Sequence, residues 1–202
     1  MILLHYTAMA SATSARDWLC TPEAQVSAHY VVAEDGRLWQ LVCEGARAWH
    51  AGAGAWGDVT DVNSRSIGIE IANTGAQPFP EPQMRVVEQL LRGIMDRWAV
   101  RPERVVGHSD TALGRKIDPG KRFDWKRLAR QGLSVWPDAV APGDIWDDAR
   151  TFGYVWEPGQ EETLLGAFRM RFRPWASGPV DDTDRALMRD LAIRWPFAPV
   201  VG

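Results

Sequence analysis

The sequence predicts an α/β fold: a mixed, mostly antiparallel central sheet flanked by helices, followed by a small three-helix C-terminal domain. Three observations carry that prediction. Short apolar runs at 1–7, 26–33, 67–73 and 104–107 are bounded by turn residues, as buried strands are. Between the last two, Met84, Val87, Leu90, Leu91, Ile94, Met95 and Trp98 recur at helical spacing, which predicts a long helix over 81–98 covering the sheet. Beyond the Pro-containing stretch 133–143 the only periodicity left is helical. The expected division is a first domain over 1–136, a linker over 137–143 and a helical domain over 144–202.

The first strand ends on His5, and a helix over 11–20 follows, stopped by Thr21-Pro22. Residues 26–33 and 37–42 flank Glu34-Asp35-Gly36, the signature of an antiparallel hairpin. The loop at 49–57 is rich in Gly and Trp. It reads either as a surface lying against a ligand or as an ordinary connector with its tryptophans tucked beneath it. A second covering helix is expected over 123–130, and three further helices over 144–154, 160–172 and 181–195.

At 202 residues and 46% hydrophobic, the chain has material for one sizeable core and a small second unit. A formal net charge of −3 with acids and bases interspersed gives no footprint for nucleic acid. Cys20 and Cys43 stand alone, which excludes a cysteine-rich metal site or a disulfide scaffold and leaves one bridge between them open. No apolar run is long enough to span a membrane and no leader pattern opens the chain. A cytoplasmic monomer is the expectation; the periplasm or outer membrane is the alternative if a leader has been removed. Most of the eleven tryptophans belong to the core on size alone.

The chemistry concentrates in residues 107–120, which place His108, Ser109, Asp110, Lys116 and Asp118 among glycines in a segment too irregular for a helix or strand. Imidazole and carboxylate are good ligands for a divalent ion, and a catalytic zinc needs three protein ligands and an open position. His108 and Asp118 supply two; His5 is the obvious third. The competing reading is a helix-capping loop with a surface histidine. Glu70 is the second anomaly, because glutamate is depleted in strands and seldom buried without a partner. It lies either on a solvated sheet face or in a site where it carries protons.

Taken together, His5-Tyr-Thr, Ser27-Ala-His29-Tyr, Trp49-His50-Ala-Gly, Ile67-Gly-Ile-Glu70, Gly107-His108-Ser-Asp and Arg115-Lys116-Ile-Asp118-Pro-Gly resemble the type-2 family of zinc-dependent N-acetylmuramoyl-L-alanine amidases. The likeness covers about residues 1–136. Residues 167–174 and 181–188 are more weakly similar to the peptidoglycan-binding domain that follows the amidase domain in larger members.

The resemblance implies zinc held by His5, His108 and Asp118, with Glu70 and Lys116 as catalytic groups. The implied substrate is peptidoglycan or a muropeptide, cut between N-acetylmuramic acid and L-alanine. His50, Trp49 and Asn73 are expected on the substrate side; His29 and His50 fall outside the implied ligand set, and for these two a structural role is the alternative to lining the substrate. A non-catalytic peptidoglycan-recognition module is the alternative, and a zinc peptidase acting within the stem peptide is a third reading.

Overall fold

The computed structural model describes residues 1–198. Five strands, β1 (Ile2–Tyr6), β2 (Tyr30–Val32), β3 (Leu38–Gln40), β4 (Ile67–Ile71) and β5 (Val105–Gly107), form one sheet in the order β3-β2-β4-β1-β5. β1 runs parallel to both β4 and β5, and β2 runs parallel to β4; only β2 and β3 pair antiparallel. The sheet is therefore mixed but mostly parallel, which corrects the expectation of a mostly antiparallel one. The Asp35-Gly36 turn joins β2 to β3 as a hairpin. Helix α1 (Ala12–Leu19) between β1 and β2, and α3 (Glu81–Trp98) between β4 and β5, are crossovers that return the chain in its original direction.

Alternation along the strands sorts the sheet into two faces. Ile2, Leu4, Val32, Ile69 and Ile71 point into a core built with Met84, Val87, Leu91 and Ile94 of α3 and with Trp125 and Leu128 of α5 (Trp125–Arg130). The helix at 81–98 buries Met84, Val87, Leu90, Leu91 and Ile94 of the expected stripe, while Met95 is partly buried and Trp98 is exposed; Pro82 lies in its first turn, where a missing N–H is harmless.

The opposite face is covered by the C-terminal helices. Leu3 of β1 and Val106 of β5 share one apolar cluster with Ile145 and Phe152 of α6 (Ile145–Phe152), Phe168 and Phe172 of α7 (Glu161–Phe172) and Met188 and Leu191 of α8 (Asp182–Arg194). Asp144 caps α6 by accepting from the Trp146 and Asp147 N–H groups, and Asp181 and Asp184 form a capping box on α8. Residues 137–143 carry no helix or strand. Just before them Leu133 and Val135 are buried in the two cores, so the chain crosses between the faces under cover. Cys20 and Cys43 are free, exposed thiols. Among the described residues no helix is long and apolar enough to cross a membrane.

Candidate metal centre and active site

The parallel strands bring their carboxyl ends to one place, where ligands of open α/β sheets bind. Leu3 and His5 share a face of β1; Leu3 enters the apolar cluster and His5, two residues on, enters the site. His5 is in register with Glu70 on β4. His108 follows β5 directly and opens α4 (His108–Thr111), a single helical turn where the sequence suggested none. That turn forms because Asp110 accepts the Gly107 N–H at 2.8 Å. The Ser109 N–H donates to the Asp118 carbonyl at 2.9 Å, folding the loop back so that Asp118 stands beside His108. A helix α2 (Val62–Arg65) lies just before β4.

Three donor atoms then meet. His5 Nδ1 and His108 Nδ1 are 3.0 Å apart, and Asp118 Oδ2 is 2.9 Å from the first and 3.0 Å from the second. Donors around a tetrahedral zinc with bonds of about 2.0–2.1 Å lie roughly 3.3 Å apart. The trio needs only a slight spreading to accept the ion, and its donor chemistry of two imidazoles and one carboxylate suits zinc. His108 Nε2 donates to the Ala51 carbonyl at 2.8 Å, so its neutral ring presents a lone pair at Nδ1.

Beside this triangle, Glu70 is half-buried as a residue, yet its Oε2 is sealed from solvent and has no hydrogen-bond partner. Such an oxygen fits a site that receives a water or a substrate proton rather than a solvated sheet face. Burial, reinforced by the Asp118 charge and opposed by Lys116, pushes the Glu70 carboxyl up to about 8. Lys116 is exposed on the loop two residues before Asp118, and its charge reaches both Glu70 and His5. Burial opposes ionisation of Asp118, but its hydrogen bonds with His108 and His5 outweigh that and hold the carboxyl well below the usual range.

The N-acetylmuramoyl-L-alanine amidase family profile matches residues 1–121, well over half of the chain. This chain belongs to that family. It is similar to the amidase AmiD of Escherichia coli, at 36% identity over 95% of this chain and 81% of that protein. It is also similar to the 1,6-anhydro-N-acetylmuramyl-L-alanine amidase AmpD of Haemophilus influenzae, at 39% identity over 52% of this chain and 58% of that one. The solved complex of E. coli AmiD with anhydro-N-acetylmuramic acid-L-Ala-D-γ-Glu-L-Lys superposes with a TM-score of 0.88 at 33% identity, over 96% of this chain and 89% of that one. Pseudomonas aeruginosa AmpDh3 superposes with the same score at 31% identity, over 96% of this chain and 91% of that one.

Within this amidase fold the residues expected on the substrate side separate. Trp49 is 57% exposed, with the Arg47 guanidinium 4.7 Å from its ring centre, and remains available to a ligand. His50 is buried behind His5, with His50 Nδ1 3.0 Å from His5 Nε2. Its ring is therefore turned to the metal ligand. Asn73 is buried too; its Oδ1 accepts the Gly75 N–H at 2.7 Å and its Nδ2 donates to the Gln77 carbonyl at 3.3 Å, so it stabilises the turn after β4.

The glycine-rich loop is packed rather than open. A Cβ on Gly54 would lie 2.4 Å from the Thr111 carbonyl oxygen, and Arg115 donates to the Ala51 and Ala53 carbonyls.

Two groups of residues near the ligands escaped the sequence reading. Arg171 of α7 donates to Asp110 Oδ2 at 2.7 Å and to the Val105 carbonyl at 3.0 Å, and the Tyr154 hydroxyl donates to Asp110 Oδ1 at 2.9 Å. Asn63 and Ser66 stand behind the 49–51 segment. Nothing local in the sequence marks either group.

The metal-free protein should lose stability as the pH falls below about 6.5. Burial, with repulsion from His108, lowers His5 to about 4, and burial, with His5, His29 and His108 around it, lowers His50 to about 2. Their contributions are present above the ordinary value of 6.5 and are lost as the pH drops toward and through the folded values. Glu70 acts with the opposite sign, its contribution full below 4.5 and lost as the pH rises through about 8. Each group gives a slope of about 1.4 kcal/mol per pH unit, so two histidines outweigh one glutamate between 6.5 and 4.5. Thermal midpoints of the metal-free protein at pH 5 and 6.5 check this, and equal midpoints would contradict it.

Proposed function

We propose that this chain is a zinc-dependent hydrolase of the amide bond joining the lactyl carbonyl of N-acetylmuramic acid to the L-alanine of the stem peptide. The observation that carries the reading is the triangle of His5 Nδ1, His108 Nδ1 and Asp118 Oδ2, with separations of 2.9–3.0 Å, set beside the partnerless Oε2 of Glu70. Membership of the amidase family, and likeness to AmiD in complex with an anhydro-muropeptide, support the substrate class.

His5, His108 and Asp118 would hold the metal. Bound there, zinc supplies Lewis-acid polarisation that makes water a competent nucleophile near neutral pH. Glu70 takes a proton from the attacking water at its carboxylate and returns one to the alanine nitrogen as the C–N bond breaks. Lys116 offers an ammonium to the carbonyl oxygen as it becomes negative. One water is consumed; the products are a lactyl carboxylate and a peptide with a free L-alanine amine. A raised carboxyl suits Glu70 to this work, since a base that must also act as an acid works best with its pKa near the operating pH.

Zinc content reads the ligand set directly. The protein should carry one zinc per chain, His108→Ala should carry none, and His29→Ala should stay near stoichiometric. Retention of zinc by His5→Ala with loss in His29→Ala would overturn the assignment.

A further inference from the structure

We propose that His50 is a positioning residue that fixes the ring tautomer of the metal ligand His5, as part of a single buried segment that supports both histidine ligands from behind. The proposal rests on the zinc reading above and adds how the chain prepares its ligands. It begins at a hydroxyl. Ser66 Oγ donates its one proton to the Val62 carbonyl, an acceptor with no proton of its own. With that proton committed, the 3.4 Å contact between Ser66 Oγ and His50 Nε2 has one workable direction: His50 donates.

A neutral imidazole protonated at Nε2 carries its lone pair at Nδ1. His50 Nδ1 therefore accepts from His5 Nε2 across 3.0 Å, and His5 in turn presents a lone pair at Nδ1, the atom that meets His108 and Asp118. Each link forces the next. Were His50 unable to accept, His5 would be free to place its proton on Nδ1, where it blocks the metal.

The backbone of the same segment serves the other histidine. The Ala51 carbonyl takes the Nε2 proton of His108 at 2.8 Å, which leaves the Nδ1 of that ring unprotonated as well. Asn63 sets both supports at once, because its Oδ1 accepts the His50 N–H at 3.0 Å and the Ala51 N–H at 2.8 Å. The ring of His50 is held from its other side by Gly68 of β4. A Cβ there would lie 2.4 Å from His50 Cγ, so glycine is required in the strand for the ring to lie against it. His50, Asn63 and Ser66 are all buried, and together they account for a Trp-His-Ala-Gly segment that the catalytic steps leave unexplained.

The test measures metal affinity and tautomer, without relying on turnover. Zinc dissociation constants are taken by competition with a chelator for the wild type, His50→Leu, His50→Gln and Ser66→Ala. Loss of a partner of this kind weakens metal binding by about 10–100-fold, which is the effect expected of His50→Leu. His50→Gln, whose amide oxygen accepts a hydrogen bond, should recover most of it. Imidazole 15N signals of the metal-free wild type should show His5 protonated at Nε2.

Should His50→Leu fail to fold, Ser66→Ala reads the same chain one link earlier, and a several-fold weakening with a mixed His50 tautomer is expected. Wild-type affinity in both His50→Leu and Ser66→Ala, or a His5 proton resident on Nδ1, would overturn the proposal. A wild type that binds no zinc in this assay would instead overturn the metal reading on which it rests.

Discussion

Glu70→Gln is expected to lower kcat on a soluble muropeptide by about 10²–10⁴-fold while zinc stays near one per chain, because Gln keeps the size of Glu but cannot carry a proton. Glu70 is no member of the donor triangle, so the metal should not notice the change. Its Oε2 has no partner among the described residues, which leaves substrate and water as the groups it is aimed to serve. Lys116→Ala makes the companion variant, with a loss of about 10²–10³ in kcat, the cost of one oxyanion donor, and a small change in KM. A Glu70→Gln protein within about twofold of wild type would mean that Glu70 is only a strand residue, and the proton-transfer role would be withdrawn.

The second large effect lies behind the metal loop, at Arg171. This α7 residue and Asp110 form an ion pair in which both side chains are essentially sealed from solvent. Removing one partner of such a pair strands the other charge and costs about 3–5 kcal/mol. Asp110 also accepts the Gly107 N–H that shapes the turn carrying His108, so the damage falls on the metal loop itself.

Arg171→Met should lower Tm by roughly 10–15 °C, and Asp110→Asn in the same protein should recover part of that by removing the stranded charge. A Tm within about 2 °C of wild type would contradict the role given to the pair. The same physics bears on a chain ending at Gly143. Read as a separable tail, residues 144–202 would be dispensable on small muropeptides. Their apolar cluster with Leu3 and Val106 predicts instead that the shortened chain does not fold.

Much of the site was legible because its residues are chemically unusual where they stand. A histidine ending an apolar strand, a glutamate between isoleucines, and a loop crowded with His, Lys and Asp each conflict with plain core or surface roles. The structure brings His5, Glu70, His108 and Asp118 together as expected. The long helix was legible for the opposite reason, since the apolar stripe from Met84 to Ile94 follows helical spacing, although the exposed Trp98 and the buried Gln83 and Glu88 depart from it.

Beyond the Asp35-Gly36 hairpin, strand direction was not legible. A buried strand reads the same whether its neighbour is parallel or not, and direction is set by where the crossover helices place the return. Arg171 was hidden among the charges of a helix that also carries Arg169, and an arginine there looks solvated until its partner 61 residues away is known. For a similar reason the sequence left His50 open between a structural and a substrate-lining role: its place behind His5 depends on Ser66, Asn63 and Gly68, contacts that no local spacing reveals.

The most direct test of the proposed reaction is mass spectrometry of the products formed by the zinc-loaded protein from one defined anhydro-muropeptide. Two fragments whose masses sum to substrate plus one water, one an intact stem peptide beginning at L-alanine and the other a sugar ending in a lactyl carboxylate, are the result expected. Recovery of intact substrate, or of fragments cut within the stem peptide, would contradict it and leave a recognition module or a peptidase in its place.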